Sequence, residues 1–391
     1  MSEVFVAAGK RTPIGKFLGE LASFPAPRLA GWSIRATLSA ASLADTRVDE
    51  GIIGQVITAG AGQAPARQAL LEAGLPVEVG AVTVNKVCGS GLFAAMLAAR
   101  AIRAGEHKAV IAAGMESMSL APHLLRSARS GWKYGSQPLL DSIEVDGLFC
   151  SRGNSLMGVY AERVAKDYGI TRQAQDEWAL LSHQRAVAAQ ERGDFAAEIV
   201  PISLSKEQTM ARDSGPRADT NLEKLARLRP AFDPKGTVTA GNSSSLADGA
   251  ASVLVMDREV RESLKTAECF RIVGYAVMSQ KPEDLFLAPV GAVQKLWRQT
   301  GVTDRDIDLY EINEAFASQT LACIQQLELN PESVNVNGGA IALGHPIGCS
   351  GMRVLVTLMG ALATRKLTRG VATLCLGGGE AVAMMIEREV V

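Results

Sequence analysis

One pattern occurs in each half of this chain, and it restricts the fold more than any other feature. Cys88-Gly89-Ser90-Gly91 opens a helical run, Leu92 to Ala104, ended by Gly105; a strand-like run, Ala109 to Ala113, then stops at Gly114. Gly348-Cys349-Ser350-Gly351 opens a second helical run, Met352 to Arg365, followed by a strand, Val371 to Leu376, that stops at Gly377. Glycine just past a helical run suits the C′ position, where the backbone turns left-handed. Short apolar runs with little polar alternation predict strands covered on both faces by helices. A recurring loop–helix–strand–glycine unit therefore predicts an α/β protein of two repeated halves, whose loops meet at one central site.

Between the halves lies a different region, roughly 119–245. It carries polar, glycine-rich stretches such as Ser127 to Gln137. It also carries one long helical segment, Gln173 to Arg192, with Thr171 as N-cap and Gly193 as the stop. An insertion of this size reads as a lid or binding loop. At 391 residues the chain can bury a large core. Six cysteines lack Cys-x-x-Cys spacing, and four histidines give no zinc ligand set, so no metal is expected and a reducing compartment is. A net charge of -1 creates no field favouring nucleic acid. No uninterrupted apolar run reaches the about 18 residues a membrane span needs. The start has no signal-peptide shape, and Arg388-Glu389-Val390-Val391 is no peroxisomal address, so the cytoplasm is the expected location.

Cys88 is the candidate nucleophile. A cysteine at a helix start meets free backbone N–H groups and the positive end of the helix dipole, and both stabilise a thiolate. The glycines flanking Ser90 would let the backbone approach a reacting carbonyl. The alternative is a buried, inert thiol. Further strings tip the balance. They are Asn313-Glu314-Ala315-Phe316, Asn337-Gly338-Gly339-Ala340, Gly344-His345-Pro346, and Cys375-Leu376-Gly377-Gly378-Gly379-Glu380. With Arg11-Thr12-Pro13, Gly114-Met115-Glu116-Ser117-Met118 and Thr239-Ala240-Gly241-Asn242, they run in one order over nearly the whole chain. Together they resemble the thiolase family, which makes or cleaves 3-ketoacyl-CoA thioesters.

The resemblance implies a five-layer αβαβα architecture. It divides the chain into an N-terminal half, 1–118 plus 246–268, a CoA-binding loop domain, 119–245, and a C-terminal half, 269–391. It implies that Cys88 is acylated, that Cys375 is the general acid/base at the α-carbon, and that His345 activates Cys88. Asn313 would orient a water that, with His345, forms one oxyanion site; the backbone N–H groups of Cys88 and Gly377 would form the other. Ser244, Arg217, Met157, Phe316 and Ala240 would contact CoA or the acyl chain. Basic residues of the insertion, including Arg126, Arg129, Lys133, Arg217, Lys224, Arg227 and Arg229, would meet the phosphates or stand as solvated surface charges. No permanently bound cofactor is expected; CoA is substrate, and the assembly is a homotetramer or homodimer.

Four departures from the family pattern bear on substrate. Leu156 stands where short-chain biosynthetic members commonly have histidine, and Ser245 replaces a glycine. Leu285-Phe286-Leu287-Ala288-Pro289 replaces a Met-Gly-x-Gly-Pro loop, and Lys86 puts a cation two residues before Cys88, where it would lower the thiol pKa if it pointed inward. Acceptance of acetoacetyl-CoA is expected, with longer 3-ketoacyl chains open. Four other readings compete. Ketoacyl synthases pair their cysteine with two histidines, or with His and Asn and no second thiol, whereas this chain has one motif histidine and a second motif cysteine. A non-catalytic scaffold would not need all four site residue types. A Cys88–Cys375 redox pair would lack a redox motif. No Gly-x-Gly-x-x-Gly follows a strand near the start, which argues against a nucleotide oxidoreductase.

Overall fold

The computed structural model describes residues 3–44, 47–264 and 268–389. Met1, Ser2, 45–46, 265–267 and 390–391 lie outside it, so the expected junction near 268 is only partly covered and the last two residues of the expected C-terminal half are not covered. The first half contains β1 (Phe5–Arg11), α1 (Ala26–Ala41), β2 (Glu50–Gly54), α2 (Pro65–Glu72), β3 (Gly80–Val84), α3 (Ser90–Ala104) and β4 (Ala109–Ser117). The inserted region holds α4 (Met157–Asp167) and α5 (Arg172–Arg192), after which β5 (Ala247–Met256) follows. The second half contains β6 (Cys269–Ser279), α6 (Ala288–Thr300), β7 (Leu309–Ile312), α7 (Ala317–Leu327), α8 (Ile347–Arg365), β8 (Arg369–Leu376) and β9 (Glu380–Glu389).

The strands join in the order β7-β8-β9-β6-β1-β5-β4-β2-β3. The path mirrors itself about the antiparallel β1–β6 pair. On each side an antiparallel neighbour comes next, then a parallel pair, β4–β2 in one half and β8–β7 in the other. A parallel bridge from Tyr310 to Val334 takes the place of β3 in the second half. Helices α1 and α2 cover the outer face of the first half, and α6 with α7 the outer face of the second. Helices α3 and α8 pack on each other between the two halves. The result is the expected five-layer αβαβα arrangement.

The repeated Ser-Gly pairs have a packing cause. A Cβ on Gly91 would lie 2.6 Å from the Met352 nitrogen, and one on Gly351 would lie 2.5 Å from the Leu92 nitrogen. The two central helices therefore cross backbone to backbone at matching positions, a contact only glycine permits. These glycines hold the halves together rather than clearing room for a substrate, as do the neighbouring contacts of Gly89 with Leu376. The two segments 87–104 and 347–365 are long and apolar enough to cross a membrane, but the second is 83% buried within the protein. A helix apolar all round belongs in a core, and α3 and α8 form that core.

Local signals account for the helix ends. Thr171 Oγ1 accepts from the Ala174 N–H at 3.1 Å, and Gly105 and Gly193 terminate α3 and α5 with φ of 77° and 78°. Helix α8 begins at Ile347, five residues before the expected Met352, because Pro346 already supplies extended geometry at its N-cap.

Candidate active site

Cys88 lies in a tight turn between β3 and α3. The Gly89 N–H donates to the Lys86 carbonyl, and the Ser90 N–H donates to the Val87 carbonyl. Ser90 Oγ accepts from the Lys86 N–H at 2.8 Å and donates to the Val87 carbonyl at 2.6 Å. Val87 adopts φ of 47°, a left-handed conformation costly for a β-branched residue, so the turn is held by its surroundings. The thiol is half-buried at the wall of a cavity of about 320 Å³.

That cavity gathers residues from distant parts of the chain. His345, Cys375 and Gly377 line it with Cys88, and so do Met157, Ser244 and Phe316. Its remaining wall is apolar, including Leu148, Leu156, Phe232, Leu285, Phe286 and Ile347. Asn313 stands behind His345, with its Nδ2 3.5 Å from Nε2 of the ring. Ser244 is fixed by the Ala315 carbonyl, which accepts from its Oγ at 3.0 Å. Through Ser243, Ser245 and Leu246 the cavity adjoins a second, polar chamber of about 500 Å³. Arg217, Ala240, Lys16, His183 and Lys224 line this second chamber. The expected catalytic residues and the five expected CoA or acyl contacts thus fall in one of the two chambers or directly behind the first.

Of the seven basic candidates in the insertion, only Arg217 and Lys224 line the polar chamber. Arg227 pairs with Glu223, and Arg126, Arg129 and Lys133 are exposed away from it. Lys16 and His183 complete the chamber. Neither belongs to a motif; only the folded register of the Gly15–Lys16 strand against β5 brings Lys16 there.

Two electrostatic expectations are corrected. Lys86 does not face the sulfur: its Nζ binds Glu380 Oε2 at 2.7 Å and sits 5.1 Å from the Phe93 ring centroid. Nor is the Cys88 thiol acidified. Burial pushes it up to about 12, against the backbone N–H of Gly377 and its own N–H, both of which favour the thiolate. Burial likewise raises Cys375 well above the ordinary thiol range, with Cys88 and Cys323 adding to the effect. Both thiols are protonated at rest. Helix-end stabilisation is real but small beside the loss of solvent.

His345 is held low. Burial and then the Arg353 charge bring it down to about 3, so the ring is neutral and able to accept a proton. His183 falls to about 4, through burial and then Arg217. These shifts fix a pH dependence. Both rings protonate near ~6.5 in the unfolded chain, so the stability tied to their neutral forms is complete above that pH. It is lost as the pH falls toward the two folded values. Urea unfolding at about pH 7 and about pH 5 is expected to show this loss, and His183→Gln to shrink it. An equal loss in the variant would refute the assignment.

Glu116 connects the halves beside the site. Its carboxylate accepts from the N–H groups of Val56 (3.1 Å), Ile57 (3.3 Å) and Gly348 (2.9 Å). It thereby ties the end of β2 and the end of β4 to the first turn of α8. Glu314 does similar work under Asn313, accepting from Trp178 Nε1, Ser182 Oγ, Asn335 Nδ2 and the Ile341 N–H. Among the described residues no cluster of His, Cys, Asp and Glu could hold a metal ion.

The comparisons agree with this geometry. Residues 4–259 match the family description "Thiolase, N-terminal domain" and residues 267–388 match "Thiolase, C-terminal domain". An acetyl-CoA acetyltransferase of Escherichia coli K12 is 49% identical over 392 residues, covering 99% of this chain and 100% of that protein. One from Cupriavidus necator is 47% identical over 393 residues, with both chains fully covered. The crystal structure of human mitochondrial 3-ketoacyl-CoA thiolase in complex with CoA superposes with a TM-score of 0.96 at 38% identity, covering 99% of this chain and 98% of that one. With its two matched domains, its mirrored halves and its paired cysteines on one cavity, this chain belongs to the thiolase family.

Proposed function

We propose that the chain moves acyl groups between CoA thioesters through Cys88, interconverting two acetyl-CoA with acetoacetyl-CoA and CoA, and taking longer 3-ketoacyl chains in the same cavity. One observation supports this most. Two thiols, a neutral imidazole and the Gly377 N–H share an apolar chamber that opens into a polar one carrying Lys16, Arg217 and Lys224. An acyl-pantetheine needs the first chamber, and phosphates need the second.

In cleavage, the Cys88 sulfur bonds to the 3-keto carbon while its proton passes to His345 Nε2. The developing oxyanion receives hydrogen bonds from backbone N–H groups aimed into the cavity. The bond between the α- and 3-carbons then breaks. The acetyl-CoA carbanion takes the proton of Cys375, which at rest is the protonated form this step requires. The enolate oxygen is met by His345 and an Asn313-bound water. Incoming CoA gives its thiol proton to the Cys375 thiolate and attacks the acyl group on Cys88; the departing Cys88 sulfur takes back the proton held on His345 Nε2, and both cysteines are restored. Condensation runs the same steps backward.

CoA and its thioesters are the molecules bound, and we place the working form as a homodimer or homotetramer in the cytoplasm. The division into two halves, 1–118 with 246–268 and 269–391, around a CoA-binding insertion at 119–245 belongs to the same reading. The test is CoA-dependent cleavage of acetoacetyl-CoA, with intact-mass detection of an acetyl adduct and peptide mapping to Cys88. Light scattering on the same sample reads the assembly. Absence of turnover and adduct with acetoacetyl-CoA and with a panel of longer 3-ketoacyl-CoAs would overturn the proposal, and a monomer mass would overturn the assembly.

A further inference from the structure

The two ring nitrogens of His345 have different partners, and the difference decides which of them can act as a base. Nδ1 lies 2.6 Å from Ser350 Oγ, one turn into α8. Nε2 faces the cavity side, with Asn313 Nδ2 at 3.5 Å. Ser350 Oγ also lies 3.0 Å from the Pro346 carbonyl, as donor. A serine hydroxyl has one proton. Given to Pro346, it leaves Ser350 only lone pairs toward the ring, so Nδ1 must carry the hydrogen. Nε2 is then bare, with its one lone pair open to a proton.

The opposite arrangement fails at the step itself. If Ser350 donated to Nδ1, the ring hydrogen would sit on Nε2, the Pro346 carbonyl would lose the hydroxyl proton, and no lone pair would remain for the Cys88 proton. The back-bond from a helical serine to the carbonyl four residues earlier is a common local arrangement and needs no distortion here. It also survives proton transfer unchanged. Imidazolium still donates from Nδ1 to Ser350, so no hydrogen bond reverses when Nε2 gains its proton.

We infer that Ser350 is a positioning residue that fixes His345 in the Nδ1–H tautomer and so leaves Nε2 free as the base for Cys88. This rests on the reading that His345 receives the Cys88 proton. In the step it serves, the Cys88 S–H bond breaks and its proton goes to Nε2. The sulfur lone pair bonds to the thioester or ketone carbon, and the carbonyl π pair moves to oxygen. When a tetrahedral adduct collapses with sulfur as the leaving group, the proton on Nε2 passes to that sulfur; a departing carbon takes its proton from Cys375 instead. Nδ1–H is a spectator throughout. Ser350 lies inside α8, is buried, and does not line the catalytic cavity, so it reaches the reaction through the ring.

The test separates tautomer from turnover. Nitrogen-15 NMR of histidine-labelled protein, with His345 assigned by its loss in His345→Gln, is expected to show hydrogen on Nδ1 and a bare Nε2 in the wild type. Ser350→Ala is expected to shift population to the Nε2–H form and to lower kcat by roughly 10- to 100-fold, less than the ~10,000-fold loss a fully wrong tautomer can cause. KM is expected to stay within about twofold, and Ser350→Thr, which keeps the hydroxyl, to restore the tautomer. A wild-type ring with hydrogen on Nε2 would overturn the inference, as would an unchanged tautomer in Ser350→Ala. Full activity of His345→Gln would instead overturn the reading on which it rests.

Discussion

Cys375→Ala is expected to lower acetoacetyl-CoA turnover by about 100- to 10,000-fold, the usual contribution of a positioned general acid or base, while Cys88 still becomes acetylated by acetyl-CoA. The two half-reactions place different demands on the site. In full turnover CoA exchanges its proton with Cys375, but without that thiol His345 Nε2 can still carry the Cys88 proton to the leaving CoA sulfur, so acylation persists. Breaking the carbon–carbon bond leaves a carbanion at the α-carbon, which needs an acid in the cavity. Among the described cavity residues Cys375 is the thiol free to serve, since Cys88 is then occupied by the acyl group. Cys88→Ala is expected to lose both adduct and turnover, by about 10,000-fold or more, because the other cavity thiol, Cys375, serves as the acid and base at carbon and does not carry the acyl group. Intact mass after incubation with acetyl-CoA, beside a cleavage assay, separates the two variants. An adduct missing from Cys375→Ala, or cleavage retained in it, would remove Cys375 from the carbon acid step.

How far the chain could be read in advance depends on the range of each interaction. Helix ends rest on neighbours within four residues, and Thr171, Gly105 and Gly193 announced theirs correctly. The site residues were legible because each sits in a short glycine-bearing string whose backbone must approach something. What they approach was not. Gly114 looked like the end of a strand, yet β4 continues to Ser117, and a Cβ on Gly114 would lie 2.5 Å from the Gly348 carbonyl oxygen. Its absent side chain serves a contact with α8, more than two hundred residues away in the chain. Lys86 looked like a partner for Cys88 because only Val87 separates them, and Glu380 claimed it from the far half instead. The acidity of Cys88 was misjudged for a related reason. The helix end is local and visible in the sequence, whereas the burial that outweighs it is assembled by both halves and the insertion. Ser350 was visible as part of the repeat, but its bond to His345 requires knowing that α8 starts at Ile347.

Arg11 shows the same point in its energetics, and replacing it with methionine is expected to cost about 3–5 kcal/mol of folding stability, the usual result of stranding buried charges. The side chain is completely buried. Its Nε donates to Glu198 Oε1 at 2.6 Å, and its Nη1 and Nη2 form a two-pronged pair with Asp213 at 2.6 and 2.9 Å. The guanidinium lies 5.0 Å from the centroid of the Phe195 ring. Burial works against its charge, but Asp213 and Glu198 outweigh that and raise its pKa. Asp213 also accepts from the Ile14 N–H, and Glu198 from Thr357 Oγ1 in α8. One cation therefore joins β1, the inserted region and the central helix. Removing it leaves two carboxylates in a dry interior, with only the weaker pull of Arg353 acting on Glu198. The deficit should shrink when those carboxylates are neutralised as well. Arg11→Met combined with Glu198→Gln and Asp213→Asn is expected to be more stable than Arg11→Met alone, the sign of a coupled network. Urea unfolding of the wild type, the single variant and the triple variant measures both effects. A single-variant loss below about 1 kcal/mol, or a triple variant weaker than the single, would mean that the insertion is held to the first half by packing rather than by this charge.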